Sequence, residues 1–297
     1  MTEQPSRLPV ASRKPGRFIL WLLIAMLACM AWFFFALLLR APNPLVPRPH
    51  PFQPPEMAAV QYTKSDMVGN LGGVPVTIPQ HFANYVEYEG DPGWGEKRTG
   101  PVPKRTHDST LVAFSFKVRT PDMQGLSSRD MWTDRNSYTI YNTPWISVLI
   151  KSGRSYSGDG FLDRRASYLE RWKVDESSTL AWERYKPTSE LFHGLTIYVP
   201  TGIDPKTQRP YREGLYAEDV FLHRAADGRV DTYINCSNRP HEAAPCSQSF
   251  SMEPGMQAAV YVSYRRGLLP QWRQIQTNVS RLIWSFKTAE GSGSTRQ

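Results

Sequence analysis

The sequence predicts an α+β fold: an N-terminal single transmembrane helix, a Pro-rich linker, and a β-rich mixed domain that ends in an amphipathic helix. Three observations predict it. An uncharged apolar run lies near the N-terminus, a stretch crowded with proline follows it, and the remaining chain holds apolar segments of strand length before one of helical period. The chain outside the apolar run is long enough to bury a substantial core.

The apolar run Phe18–Leu39 is expected to form the transmembrane helix. It spans 22 positions without a charged side chain, enough at about 1.5 Å rise per residue to cross a hydrocarbon core of about 30 Å. A cleaved signal peptide is the alternative, but its apolar region normally holds about 7 to 15 residues before a small-residue site. No A-x-A pattern follows Leu39, so an uncleaved anchor is expected.

Positive charge predicts the orientation of this anchor. The preceding residues 1–17 carry Arg7, Arg13, Lys14 and Arg17, so the positive-inside rule makes them a cytoplasmic tail. For a bacterial protein, the expected location is the inner membrane, with a single pass and the main domain in the periplasm. That compartment is oxidising and favours disulfides.

The distribution of charge argues against a nucleic-acid partner. The net charge is +8, but the first 50 residues hold six Lys or Arg and one Glu, which leaves 29 basic and 26 acidic side chains in the remainder. Nucleic-acid binding proteins typically concentrate basic residues on the binding domain. No nucleic acid is therefore expected among the partners.

The chain after the anchor divides by composition. Ala41–Glu56 holds seven prolines, which favours an extended spacer, so residues 40–56 are the predicted linker. Residues 57–288 are predicted to form one α+β domain, with two similar halves and a boundary near 150–190 as the alternative. Residues 289–297 are predicted to be a disordered tail.

Alternating apolar residues predict the strands of this domain. Asp227-Gly228 supplies turn chemistry between two β-rich arms, so Glu218–Cys236 is predicted to form a hairpin. The other predicted strands are Leu111–Arg119, Pro144–Ser152, Leu195–Pro200 and Ala258–Arg266.

Apolar spacing of three and four residues predicts two helices. One is Gly160–Lys173, with apolar residues on one side. The other is the C-terminal amphipathic helix, which follows Pro270 and is expected to pack on the sheet through Trp272, Ile275, Val279, Leu282, Ile283 and Phe286.

Cys236 and Cys246 flank a histidine in the stretch CSNRPHEAAPC. A disulfide, a pair of unbonded structural cysteines, and a metal or redox site are the three readings. Cys236, His241 and Cys246 give three ligands at spacings unlike those of zinc sites, and no C-x-x-C occurs. A disulfide that closes a short loop at the end of a hairpin is expected.

No catalytic motif is present: G-x-S-x-G, a P-loop, H-E-x-x-H and G-x-G-x-x-G are all absent from the sequence. No catalytic residue, metal ligand or cofactor is therefore predicted. The charged Gly/Pro-rich loop around Trp94 is instead predicted to contact a partner, because Trp and Arg are enriched at binding hot spots. A Trp94 side chain folded back onto the core is the alternative. The candidate partner-binding residues are Asp91, Trp94, Glu96, Lys97 and Arg98.

The segments Gly72–Arg98 and Val260–Phe286 resemble a group of membrane-anchored periplasmic proteins encoded beside lipase effectors of the bacterial type VI secretion system, the Tle4-type lipase immunity proteins. The resemblance implies a non-catalytic protein that binds a secreted phospholipase effector and occludes its active site. It also implies that the partner is a protein and that no cofactor is needed.

Two other functions fit the same sequence. The chain could be a scaffold or adaptor of an envelope or secretion machine, in which the Pro-rich spacer sets the reach. It could also be a periplasmic hydrolase with a dispersed site, which would require a cluster of His with Asp or Ser in a deep cleft.

Overall fold

The computed structural model describes residues 65–93, 95–171 and 185–288, together with Met26 and Met30. The chain divides into two compact units, Met1–Val60 and Gln61–Gln297, and every element named below belongs to the second. Its described residues form twelve strands and three α-helices. In chain order these are β1 (Met67–Leu71), β2 (Val74–Ile78), β3 (Tyr85–Tyr88), β4 (Leu111–Arg119), β5 (Gln124–Gly125), α1 (Arg129–Ser137), β6 (Trp145–Lys151), α2 (Phe161–Arg171), β7 (Tyr185–Phe192), β8 (Leu195–Pro200), β9 (Glu218–Arg224), β10 (Val230–Ser237), β11 (Pro245–Ser251), β12 (Ala259–Arg265) and α3 (Trp272–Ser285).

Ten of the strands form one sheet in the order β3-β4-β6-β12-β11-β10-β9-β8-β7, with β5 paired to β4. All of these pairings are antiparallel. The alternation of apolar and polar residues that predicted β4, β6, β8 and β12 is the alternation between the two faces of this sheet. Those four strand predictions are confirmed, each to within one residue at either end.

The hairpin predicted around Asp227-Gly228 is also confirmed. Strands β9 and β10 pair in antiparallel register. At the turn Gly228 adopts a φ of 84°, and the backbone N–H of Arg229 donates to Asp227 Oδ1 at 3.0 Å. The glycine supplies the positive φ and the aspartate satisfies a turn N–H, as the sequence pattern requires.

One face of the sheet is covered by α3 and by the separate β1–β2 hairpin, and the main core lies between these layers. Helix α3 buries the side that its spacing predicted, which confirms the C-terminal amphipathic helix. Leu282 is partly buried at the edge of that side. The fully buried contacts of α3 to the sheet come from Trp272, Ile275, Val279, Ile283 and, just past the helix end, Phe286.

The β1–β2 turn needs glycine for two reasons. Gly72 and Gly73 both have positive φ values, 56° and 93°, which is the geometry of a two-residue hairpin turn. The Gly72 carbonyl also accepts the backbone N–H of Gln257 at 2.9 Å. A Cβ atom on Gly72 would lie 2.5 Å from the Gln257 backbone, so this close approach excludes any side chain.

A buried polar network ties α3 to the sheet. The Tyr264 hydroxyl donates to Gln248 Oε1 at 2.9 Å, and Gln248 Nε2 donates to Gln276 Oε1 at 2.9 Å and to the Trp272 carbonyl at 3.2 Å. Burial raises the pKa of Tyr264, so its hydroxyl stays a donor. Because a buried amide without partners is costly, this network fixes the position of the helix.

Among the described residues, α2 covers only part of the opposite face. Helix α2 packs Phe161, Leu162, Ala166 and Leu169 against β8, β9, β10 and the start of β12, which confirms the helix predicted over Gly160–Lys173. Its predicted last apolar residue, Trp172, lies outside the described residues. The part of this face formed by β4, β6, β11 and the rest of β12 lies beyond α2.

The predicted fold class is corrected in its proportions. The β-rich character is confirmed, but the domain is mostly sheet, with three α-helices among the described residues, and the label α+β overstates its helix content. Alternation and turn signals were strong enough to predict individual strands. They gave no sign of the β1–β2 hairpin, β3, β7 or α1, whose sequences are more polar or shorter.

The predicted membrane anchor is corrected as well. Among the residues that the structure describes, no helix has both the length and the apolar content needed to cross a membrane. The transmembrane helix predicted over residues 18–39 is therefore wrong by this finding. So are the inner-membrane contact through those residues and the single-pass location, and without that helix the periplasmic placement of the main domain is not supported.

The physical reason is that length and hydropathy test whether a segment could cross a bilayer, and do not test whether it forms one continuous helix. Of residues 18–39, Met26 and Met30 are described, and both are helical. The other residues of that segment lie outside the described residues, as do the predicted tail 1–17, the linker 40–56 and the tail 289–297.

Candidate partner-binding site

In the described residues, the part of this sheet face beyond α2 forms a concave polar surface floored by small side chains. Cross-strand pairing places Lys117 beside Ser147, Ser147 beside Ser263, Ser263 beside Ser247, and Ser247 beside Asn235. Directly paired residues of antiparallel strands point to the same face. This row therefore crosses five neighbouring strands, and we call the surface that it floors the serine trough.

The trough is concave because serine occupies its centre. Two adjoining depressions of about 470 Å³ and about 360 Å³ share Ser247 and Ser263. Large residues flank the row instead of filling it. In the first depression these are Leu149 and Tyr261, and in the second they include Ile140, of which 67% is exposed.

Positive charge gathers at the β4–β6 end of the trough. Lys117 and Lys151 line the first depression. Burial lowers the pKa of Lys117, and the nearby Arg135 guanidinium lowers it further. The Lys151 ammonium lies 5.6 Å from the centre of the Tyr261 ring. Across the trough, Arg165 of α2 stacks over Tyr233 at 3.9 Å and donates to Ser249 at 3.2 Å.

The other end of the trough carries charges of both signs, because Glu218 and Arg265 both line the second depression. Asn235 Nδ2 donates to Glu218 Oε2 at 2.8 Å, and both residues line the second depression. Asn235 Oδ1 is buried and has no hydrogen-bond partner among the described residues. The trough thus runs from an end with two lysines to an end where Glu218 and the amide of Asn235 lie beside Arg265, which pairs with Glu242.

The sequence-predicted contact loop lies elsewhere, between β3 and β4. Asp91 pairs with Arg98 and, at 2.5 Å, with Arg105. Burial on its own raises the pKa of Asp91, but the backbone N–H of Tyr88 and the two guanidiniums outweigh it and hold the pKa below the usual value. Asp91 and Arg98 are therefore committed to holding the loop together.

The remaining predicted loop residues divide into two groups. Glu96 and Lys97 are exposed, and Glu96 also accepts the backbone N–H of Gly93 at 2.9 Å. Trp94, with its predicted role as an anchor and the alternative packing on the core, lies outside the described residues. The proposal that this loop contacts a partner depends on the exposed positions Glu96 and Lys97.

The predicted disulfide is confirmed. Cys236 and Cys246 are bonded, and they lie directly opposite each other on β10 and β11. Their side chains project into the covered face of the sheet, where Cys236 is fully buried. The bond closes the loop that carries His241, whose ring meets Tyr141 at 6.3 Å, and so it braces the strand ends beside the trough.

Replacing both cysteines with serine is expected to lower the free energy of unfolding by about 2 to 3 kcal/mol, because the bond closes a loop of about ten residues. Denaturant unfolding of the oxidised protein and of the Cys236→Ser/Cys246→Ser variant measures the difference. Adding a reductant should destabilise the natural protein by a similar amount and leave the variant unchanged. A variant as stable as the oxidised protein would contradict the bracing role.

A third concave site lies on the covered face, beside the turn that leads into α3. It has a volume of about 580 Å³, and Phe192, Phe221 and Leu269 supply apolar lining. Asp219 at its wall is almost fully buried and faces two guanidiniums, Arg212 at 3.3 Å and Arg266 at 3.4 Å. Arg266 also donates to the Ser237 carbonyl at 2.6 Å, so this cluster links β9, β10 and the turn after β12.

The structure also brings together a His–Asp pair that the sequence did not predict. His223 Nδ1 lies 2.6 Å from Asp231 Oδ1, and His223 Nε2 lies 3.1 Å from Arg273 Nη2. Both ring nitrogens of His223 are thus engaged. The Arg273 guanidinium lies against Nε2, the nitrogen through which His223 would have to reach a nucleophile as a general base. The contacts of His223 join β9, β10 and α3. Their registers on adjacent strands, set by the Asp227-Gly228 turn, are the signal that could have revealed the pair.

Within the described parts of the chain, no three His, Cys, Asp or Glu side chains converge in the way that a metal site requires. The serine trough was missed by sequence reasoning because serines on a strand read as ordinary exposed positions. Only the strand order, which places β12 between β6 and β11, brings Ser147, Ser263 and Ser247 side by side.

Comparison with known proteins yields one solved structure of the same fold. No protein-family model matches the chain, and no curated protein matches it significantly. The matched structure is Smlt3025, an immunity protein of the Stenotrophomonas maltophilia type IV secretion system, with a TM-score of 0.50 and 17% sequence identity. The match covers 76% of this chain and 94% of that one, so the two domains share a fold over nearly the whole of the S. maltophilia protein.

Proposed function

We propose that this protein is a non-catalytic immunity protein that binds a secreted effector toxin and neutralises it. The observation that carries the proposal is the serine trough, an open concave surface across five strands. Protein partners typically bury about 800 Å² on each side of an interface, and a broad trough suits such a contact better than a closed substrate pocket would. The shared fold with an immunity protein supports the same class of function.

We further propose that the effector is a phospholipase of the type VI secretion system. The support is the resemblance of Gly72–Arg98 and Val260–Phe286 to Tle4-type lipase immunity proteins. These segments hold the β1–β2 turn, β2, β3, all but the first residue of β12, and α3. They supply the edge strand β3, the inner strand β12 and part of the layer that covers one face of the sheet. The loop residues Glu96 and Lys97 follow β3 and are proposed as a second contact with the effector.

Co-production in a susceptible bacterium tests both levels of the proposal. Cells that produce the effector encoded in the same secretion gene cluster as this protein are expected to stop growing. Co-production of the full-length protein is expected to restore growth. An effector that hydrolyses phospholipid vesicles would support the phospholipase assignment. Rescue from an effector with a different activity would leave the immunity role standing and remove the phospholipase.

The adaptor alternative predicts a different outcome of the same experiment. An adaptor binds the effector and leaves it active, so growth would stay arrested although the two proteins form a complex. That result, or the failure of any complex to form, would contradict the immunity role. A matched control uses an effector with an inactivated catalytic residue, which should bind equally well and permit growth without protection.

A further inference from the structure

Lys117 and Lys151 of the serine trough, and the neighbouring Arg135 and Arg165, lack acidic partners within the described residues, whereas Arg265 at the other end pairs with Glu242. Each salt bridge among those residues involves other cations, and none involves Lys117, Lys151, Arg135 or Arg165. Arg135 lies instead over the Trp132 ring at 5.7 Å. A half-buried ammonium without a counter-ion is unfavourable, and Lys117 shows this in its lowered pKa. The acidic residues near this end are already engaged, since Asp122 and Asp134 both pair with Arg119.

The floor between these cations is suited to hydrogen bonding with a polypeptide. Ser115, Ser147, Ser263 and Ser247 each offer a hydroxyl that can donate or accept, and the strands beneath them are fully paired with their neighbours. Four strand spacings of about 4.8 Å give a row about 19 Å long, the length of about six extended residues. Tyr261 and Leu149 add apolar surface along one side of the row.

We propose that the serine trough is the docking groove for an acidic segment of the effector, whose carboxylates pair with Lys117 and Lys151. This inference rests on the proposed immunity function and names the surface and the partner chemistry. The two lysines place the acidic part of that segment over β4 and β6. The serine floor carries the segment toward Asn235 and Glu218 at the other end of the trough.

Other anionic partners fit the trough less well. A nucleic acid would be expected to meet several phosphate-spaced cations along the groove. The centre and far end of the trough instead hold serines, Asn235 and Glu218, and the one arginine there, Arg265, is paired with Glu242. A lipid surface would require basic and apolar side chains to project outward, but Lys117 and Lys151 are set into the groove and only partly exposed. A protruding protein segment reaches them without such difficulty.

The test is charge reversal in the full-length protein. The Lys117→Glu/Lys151→Glu variant is expected to bind the effector about 100-fold more weakly than the natural protein, since charge pairs at an interface are worth a few kcal/mol when one partner is removed. Binding by the natural protein should also weaken as salt rises, because salt screens such pairs. Isothermal titration at two salt concentrations measures both effects.

Two further variants separate charge from folding. Lys206→Glu makes one such Lys-to-Glu reversal on a loop that does not line the trough, and it should leave the affinity for the effector unchanged. Lys117→Met keeps the aliphatic stem, so it tests the charge without adding a carboxylate to the groove. All variants should unfold at the same temperature as the natural protein within about 3 °C, since surface substitutions alter stability little.

Amine labelling locates the contact independently of mutation. In the complex, acetylation of Lys117 and Lys151 should fall at least fivefold while that of Lys206 stays constant, as read by mass spectrometry. A complex that leaves both lysines reactive, or binds the double variant as tightly, would overturn the docking groove and leave the immunity function intact. Absence of any complex with the natural protein would overturn both. Binding of a DNA duplex or of phosphatidylglycerol vesicles that is lost in the double variant would assign the trough to that partner instead.

Discussion

The Asp219→Ala variant is expected to lose about 3 to 5 kcal/mol of stability, the usual cost of breaking a buried ion pair by removing one partner. The Asp219 side chain is only 4% exposed, and its Oδ2 faces the guanidiniums of Arg212 and Arg266. Without the carboxylate, Arg266 would remain partly buried beside Phe221 with no counter-charge. Denaturant unfolding, monitored by tryptophan fluorescence, gives the difference in unfolding free energy.

The matched control for this variant is Glu242→Ala. Glu242 also pairs with an arginine, Arg265 at 3.3 Å, but its side chain is 76% exposed. Exposed ion pairs contribute between 0 and about 1 kcal/mol, so the control should be almost as stable as the natural protein. Equal losses for the two variants would show that burial does not set the strength of the Asp219 cluster.

The second large effect is expected for Trp272→Ala, which should lose about 3 to 5 kcal/mol by leaving a cavity under α3. Trp272 is 2% exposed. Its Nε1 donates to the His193 carbonyl at 3.1 Å, and its ring contacts the His223 ring at 5.2 Å. Thermal and denaturant unfolding of the variant measure the loss.

Trp284, on the same helix, provides the control because 36% of its surface is exposed. Trp284→Ala should cost markedly less than Trp272→Ala. Trp272→Phe keeps most of the apolar volume and removes the indole N–H, so it isolates a hydrogen bond worth about 1 kcal/mol. A small effect of Trp272→Ala would mean that α3 is not fixed to the sheet at its first turn.

The strands that the sequence predicts are those in which alternation and burial agree. Leu111–Arg119 alternates because one side faces α3 and the other faces the trough, and the Asp227-Gly228 turn is specified by local chemistry. Local rules of this kind depend on a few neighbouring residues. They therefore hold before any tertiary contact is known.

The candidate site could not be predicted in the same way, because it depends on strand order. Ser147 and Ser247 are 100 positions apart in sequence. They lie near each other only because their strands, β6 and β11, both pair with β12. The cysteines were predictable because they flank one loop. Asp91 and Arg98 resemble free binding residues in the sequence, yet the structure pairs them with each other across six intervening loop residues, a contact that the sequence does not reveal.

The immunity function is tested most directly by a titration of purified effector with the full-length protein, in which the effector's enzymatic activity is followed. Neutralisation by tight binding predicts that activity falls in proportion to the added protein and reaches its minimum at one equivalent. The same titration with Lys117→Glu/Lys151→Glu should require a large excess. Effector activity that stays constant when the natural protein is in excess would contradict the immunity function.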